Sequence, residues 1–191
     1  MREPLALAAQ SLMAGIFALA AFGKLRGRED FGRFAITVRK LMMRSGPMTT
    51  ALAGAFAVVE AVTAVLIAVP ATTRVGLWTA AALLVLFIGV VLRAVRGRVF
   101  AECGCFGGRS AIMSYPLLVR NSLLLVLTFA GLAASQDHPG VPLAGLTGAW
   151  EDLAARGIAL AAGLVAASVL LRSFDRAVAG VLGRLQARTR A

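Results

Sequence analysis

The two cysteines of the chain are separated by a single residue, in the segment Glu102-Cys103-Gly104-Cys105-Phe106-Gly107-Gly108. Random placement would give that spacing only about one time in a hundred, because about 2 of the ~190 other positions qualify. The glycines let the backbone turn tightly, so Cys103 and Cys105 can approach closely enough to oxidise to each other. A bridge that closes over one residue is strained, and strained disulfides are prone to exchange. The spacing therefore favours a redox-active pair.

Other uses of the two thiols stay open. Arg98 and Arg109 would favour the reactive thiolate, whereas Glu102 would oppose it. A zinc site needs four ligands, and the single histidine, His138, is predicted on the opposite side of the membrane, so no resident metal is predicted. Two thiolates can hold Cu(I) with methionine as a soft extra ligand, and two inert, buried cysteines are the remaining alternative. The methionines available for such a site are Met42, Met43, Met48 and Met113.

Glu60 is the second candidate, because it lies at the centre of the apolar stretch 51–69. A carboxylate near the middle of a bilayer is costly unless it is protonated, paired or hydrated, so it is a functional candidate by default. Glu60 can relay a proton that is coupled to thiol chemistry, or pair with Lys24 at the end of the preceding stretch. As a protonated acid it can also hold two helices together by a hydrogen bond.

The elements that carry these residues are predicted to be membrane-spanning helices. Of the 191 residues, 59% are hydrophobic and 15% charged, and the mean hydropathy is +0.83, a composition that no soluble surface of this size accommodates. A net charge of +11 would suit nucleic acid, but aromatic residues make up only 7%, so no nucleic-acid partner is predicted. Five apolar stretches approach the ~20 residues needed to cross a bilayer. They are residues 5–22, 51–69, 75–92, 117–134 and 153–171.

These stretches predict an all-α fold, a polytopic transmembrane helical bundle of four core spans followed by a fifth, C-terminal span. Residues 1–134 are predicted to form the four-helix membrane domain. Residues 135–191 are predicted to form an outer loop, the fifth span and a basic amphipathic cytoplasmic tail. Two connecting segments have apolar stripes at helical spacing, which indicates helices at the lipid headgroup boundary or, alternatively, docking helices for a partner. The stripes are Phe31, Phe34, Ala35, Val38, Leu41 and Met42, and then Phe174, Val178, Val181, Leu182 and Leu185.

The charges between the spans predict the orientation in the bilayer. Of the 20 Lys and Arg residues, 17 fall on one side of the predicted spans and 3 on the other. Cytoplasmic loops of membrane proteins carry the excess of positive charge. We therefore expect the N-terminus outside a bacterial inner membrane, and the C-terminus, Cys103 and Cys105 on the cytoplasmic side.

Four features together resemble the MauE branch of the DoxX-like integral membrane proteins. They are the Gly23-Lys24-Leu25 ending of the first span, the charged connection after it, Glu60 in the second span, and Cys103-Gly104-Cys105-Phe106-Gly107 after the third. The resemblance covers residues 5–134, and residues 153–191 look like an addition. It implies a helical bundle that helps to form or arrange the disulfides of exported enzymes during methylamine utilisation, together with a thioredoxin-like partner of the MauD kind.

Disulfides of exported proteins are handled outside the cell, whereas the charges place both cysteines inside. Three explanations of this conflict stay open. The pair can receive reductant from the cytoplasm, or the topology is inverted. Alternatively, residues 99–106 can dip into the bundle and meet a quinone or a second partner there. The predicted function is a membrane thiol-disulfide redox protein that assists disulfide formation or maturation of exported proteins, with Cys103, Cys105 and Glu60 as its site; whether it acts as an oxidoreductase enzyme is left open. The competing prediction is a non-catalytic membrane scaffold or a Cu(I)-handling protein.

Overall fold

A computed structural model describes residues 2–42, 46–97, 102–103, 111–112, 115–134 and 157–174. Nearly all of these residues are helical, which confirms the predicted all-α fold. The elements are α1 (Arg2–Leu25), α2 (Arg28–Met42), α3 (Pro47–Ala68), α4 (Thr73–Arg96), β1 (Glu102–Cys103), β2 (Ala111–Ile112), α5 (Tyr115–Ala134) and α6 (Gly157–Phe174), with a 3-10 turn at Pro70–Thr72. The predicted apolar stripe of the tail beyond Phe174 lies outside the described residues, as do residues 153–156 of the predicted fifth span.

Four of the described helices are long and apolar enough to cross a membrane. They are α1, α3, α4 and α6, and the apolar part of α5, Leu117–Ala133, is slightly shorter. Their outward faces are apolar as well, as the exposed side chains of Val58, Val62 and Val65 on α3 show. Such a surface requires a hydrocarbon solvent, because exposing it to water is unfavourable. The chain is therefore a multi-pass membrane protein.

Four helices form a closed ring around the main core. Helix α1 contacts α3 and α5, and α4 contacts the same two helices from the other side. Their inward faces supply fully or nearly fully buried side chains that pack in one cluster, among them Met13, Phe17, Leu77, Leu84 and Leu124. Helix α2 lies outside this ring, against α1 and α3.

Helix α2 confirms the helix predicted in the first connection. Part of its apolar stripe, however, packs against α3 instead of facing lipid. The residues in its buried contact with α3 are Phe34, Ala35 and Val38, packed with Ala53. A hydrogen bond of 3.0 Å from the Arg39 guanidinium to the Thr50 hydroxyl joins the same two helices. The first connection is thus part of the folded bundle, and it does not lie only on the lipid headgroups.

The reversal between α3 and α4 is built from residues that satisfy the last carbonyls of α3. Pro70 disfavours helical geometry at Val69, which is extended, with φ −84° and ψ 120°. The hydroxyls of Thr72 and Thr73 then donate to the carbonyl oxygens of Leu66 and Ile67, at 2.9 and 3.1 Å. Because lipid offers no hydrogen bonds, this internal pairing lets the chain turn at a bilayer boundary.

Helix α6 packs on α1 through a glycine contact that has no room for a side chain. A Cβ atom at Gly163 would lie 2.3 Å from the Ser11 carbonyl oxygen, and one at Gly15 would lie 2.9 Å from the Gly163 oxygen. Close backbone approach of this kind is a common basis for helix association in membranes, because small residues maximise packing contact.

We expect Gly163→Leu to lower the thermal stability of the detergent-purified protein, or to displace α6 from the bundle, at a cost of about 1–3 kcal/mol for overpacking. Thermal unfolding measures the first effect, and protease sensitivity in residues 135–156 reports the second. Gly89→Leu is the matched control, since a Cβ at Gly89 meets nothing within 4 Å. Equal stability of the two variants would contradict the packing contact.

Candidate functional site

A buried ion pair links the first and third helices. The Lys24 ammonium lies 2.5 Å from a carboxylate oxygen of Glu60, and the two side chains are 0% and 2% exposed. Lys24 is in the last turn of α1, and Glu60 is in the middle of α3. The structure therefore places Glu60 opposite Lys24, one of the three arrangements considered from the sequence.

Aromatic rings complete the surroundings of the ammonium. The Lys24 nitrogen lies 5.0 Å from the ring centre of Phe34 on α2 and 6.0 Å from that of Phe87 on α4. Ring faces carry partial negative charge, so each ring attracts a cation at this range. The ammonium also approaches the Ala20 carbonyl oxygen at 3.5 Å, within its own helix. Groups from α1, α2, α3 and α4 thus meet at this one cation.

The position of Lys24 corrects one step of the charge count. Lys24 was counted among the 17 positive charges of the predicted cytoplasmic side, but it is buried inside the bundle, paired with Glu60. It therefore faces no aqueous loop. Arg120, counted on the same side, is also buried, so removing both residues leaves 15 against 3, and the asymmetry that predicts the orientation persists.

A cavity of about 210 Å³ adjoins the ion pair. All five helices from α1 to α5 line it, mostly with aliphatic and aromatic side chains, and Glu60 is part of its wall. The other charged or amide side chains in the wall are Arg120 and Asn121, both in the first two turns of α5. The cavity therefore combines an apolar interior with a small number of hydrogen-bonding groups, the usual composition of a small-molecule site.

Arg120 and Asn121 were missed as site residues from the sequence. Both lie near the start of the apolar stretch 117–134, a position that is typical of helix caps and of anchors in the headgroup region. In the structure both are buried, 6% and 8% exposed, and both face the cavity. The signal that was available is the occurrence of an arginine and an asparagine side by side within a predicted span, where polar residues are rare and usually functional.

The cysteine segment leaves α4 and returns to α5 through a short antiparallel pairing. In its register Glu102 is opposite Ile112 and Cys103 is opposite Ala111. The backbone of Cys103 is therefore held at the base of a hairpin, and β1 contacts α2. Cys105 lies outside the described residues, as do Met43, Met113 and His138, so its approach to Cys103 stays a prediction.

Comparison with known proteins agrees with the resemblance noted in the sequence. The family model for methylamine utilisation protein MauE matches residues 2–134. A methylamine utilization protein MauE of Paracoccus denitrificans is 34% identical over 148 residues, which are 76% of each chain. The protein of the same name from Paracoccus versutus is 33% identical over 191 residues, covering 98% of this chain and 92% of the relative. No solved structure matches.

Proposed function

This chain belongs to the MauE family, and from that premise we propose that it is an accessory membrane protein of methylamine utilisation that exchanges disulfides through Cys103 and Cys105. Its substrates are exported proteins that contain disulfides, and it works with a thioredoxin-like partner of the MauD kind. The two relatives are named for methylamine utilization, and the disulfide chemistry is our inference from the residues of this chain.

The placement of the cysteine hairpin carries this proposal. The Cys103 backbone is fixed by pairing with β2, and β1 rests against α2, a helix that also lines the cavity containing Glu60. Attack on a disulfide requires a thiolate, so an acid–base group in the adjoining bundle can take up the proton that the attacking thiol loses. A scaffold would require no such neighbour for its cysteines.

We assign the proton-handling role to Glu60. Its carboxylate is the acidic group in the wall of the cavity, and Lys24 holds it in place at hydrogen-bonding distance. An ionisable residue inside a membrane bundle commonly marks a proton or substrate pathway. Glu60 would accept a proton from the thiol chemistry and pass it on, with Lys24 positioning the carboxylate.

The proposal includes a bacterial inner-membrane location with the N-terminus outside and the C-terminus in the cytoplasm, supported by the positive charge of the loops. In this orientation the cysteine pair acts on exported proteins indirectly, through a partner that it meets within the bundle or through reductant from the cytoplasm. We expect a cysteine at Lys40, exposed on α2, to resist an impermeant maleimide in intact spheroplasts and to react after permeabilisation. A cysteine at Ala71, exposed in the turn before α4, should react without permeabilisation. Both changes are made in a Cys103→Ser, Cys105→Ser background, and the reversed pattern would show that the topology is inverted.

The proposed function predicts a covalent complex when one cysteine of the pair is removed. In exchange, a thiolate attacks a partner disulfide, one partner sulfur leaves as a thiolate, and the second cysteine normally resolves the mixed disulfide. Cys103→Ser or Cys105→Ser should therefore accumulate this intermediate as a reductant-sensitive band on a non-reducing gel. The double variant is the control, and absence of the band from both single variants would oppose exchange.

A further inference from the structure

The cavity beside Glu60 has the size of one substituted six-membered ring. An engineered apolar cavity of roughly 150 Å³ is enough to bind benzene. The volume here is about 210 Å³, too small for a phospholipid headgroup with its two chains and large enough for a ring that carries a few substituents. The volume therefore admits a compact ring and excludes a whole phospholipid.

The cavity also reaches the lipid-facing surface of the bundle. Two residues of its wall, Met42 at the end of α2 and Leu86 on α4, are 52% and 45% exposed. A ligand that carries a hydrocarbon tail could therefore place its ring inside while the tail extends between α2 and α4 into the bilayer. This arrangement suits a ligand that is dissolved in the membrane.

The polar groups of the wall select the chemistry of the ring. Arg120 and the Asn121 amide can donate hydrogen bonds to carbonyl oxygens, and the carboxylate of Glu60 can accept them from hydroxyl groups. A neutral ring whose substituents are carbonyls when oxidised and hydroxyls when reduced can form hydrogen bonds with this wall in both redox states.

We propose that this cavity binds the ring of a lipid-soluble quinone, which serves as the electron acceptor for the Cys103–Cys105 dithiol. The two thiols lose two electrons and two protons as the sulfur–sulfur bond forms, and the quinone gains two electrons and two protons to become a hydroquinone. Arg120 and Asn121 lie just after β2 in the chain, at the end of the bundle that carries the cysteine hairpin. The electron-transfer half of this inference rests on the proposed function, whereas the binding half does not.

Binding is tested without the thiols, by equilibrium dialysis of ubiquinone-1 against the purified Cys103→Ser, Cys105→Ser protein in detergent. One equivalent should bind, and Arg120→Gln should weaken binding by about ten-fold or more, the effect of losing a hydrogen bond from a charged donor. Ala20→Leu, which fills the cavity from α1, should abolish binding. Its matched control is Ala82→Leu, at an exposed position on α4, which should bind normally.

Three outcomes would overturn the site. They are no ubiquinone-1 binding to the thiol-free protein, equal binding by the Ala20→Leu and Ala82→Leu variants, or a phospholipid that co-purifies with the wild type and is lost from Ala20→Leu. Electron transfer is measured separately, as anaerobic loss of the quinone absorbance on mixing with the reduced wild type, one quinone per cysteine pair. If the quinone binds normally but its absorbance does not fall, the acceptor role is wrong and the ring site stands. If the single-cysteine variants trap no mixed disulfide, the proposed function is wrong, and the ring site is unaffected.

Discussion

Glu60→Gln is expected to prevent accumulation of folded protein, or to destabilise it by about 3–5 kcal/mol. The change leaves the Lys24 ammonium buried, with no carboxylate at 2.5 Å to neutralise it. An uncompensated charge in a low-dielectric interior is among the costliest defects that a single substitution can create. Fluorescence-detected size-exclusion chromatography and thermal unfolding in detergent measure the effect. Glu29→Gln, at an exposed position on α2, is the matched control and should unfold at the wild-type temperature.

Removing both charges together should restore the fold. Replacement of a buried ion pair by apolar side chains of similar volume is often neutral or stabilising, so the Lys24→Met, Glu60→Met double variant should be much more stable than either single variant. Because the double variant is expected to fold, it separates the role of Glu60 in assembly from its role in proton handling. If the carboxylate handles protons, this protein is folded but defective in thiol-disulfide cycling. Full cycling activity in the double variant would limit Glu60 to assembly, and wild-type stability of Glu60→Gln would show that the pair is not needed for folding.

The Cys103→Ser, Cys105→Ser double variant is expected to fold normally and to abolish maturation of the exported disulfide-containing substrate. The hairpin backbone needs neither thiol for its pairing of Glu102 with Ile112, whereas exchange needs both sulfurs. Maturation is measured by alkylating acid-quenched cells with a mass tag and comparing the oxidised fraction of the substrate. Addition of cystine to the medium should restore oxidation, which separates a redox defect from a folding defect.

The same tag applied to the wild type should reveal a mixture of oxidised and reduced pairs, since a disulfide that closes over one residue has a potential above roughly −300 mV. A pair that is fully reduced under every condition, combined with unchanged maturation in the double variant, would refute the redox function. Cu(I) retained stoichiometrically by the wild type and lost from the double variant would then favour metal handling.

The helical elements were predictable because hydropathy depends only on the local sequence. Runs of apolar residues long enough to cross a bilayer predicted the positions of α1, α3, α4, α5 and α6, and the apolar stripe in the first connection predicted α2. The residues at which the helices begin and end were less predictable. Helix α3 begins at Pro47 rather than at residue 51, because a proline can occupy the first helical turn after Gly46, a position with φ 155° that favours glycine.

The sequence by itself determined the membrane class, the approximate spans and the two unusual positions, Glu60 and the Cys103–Cys105 pair. Only the tertiary structure decided that Glu60 faces Lys24, 36 residues away, and that Arg120 and Asn121 face the same cavity. The physical reason is that a membrane helix is apolar on its lipid-facing side as well as its protein-facing side. Its sequence therefore contains no polar stripe that shows how it is rotated toward its neighbours. Rotation and depth are set by side-chain packing between helices, and that packing brings distant charged residues together.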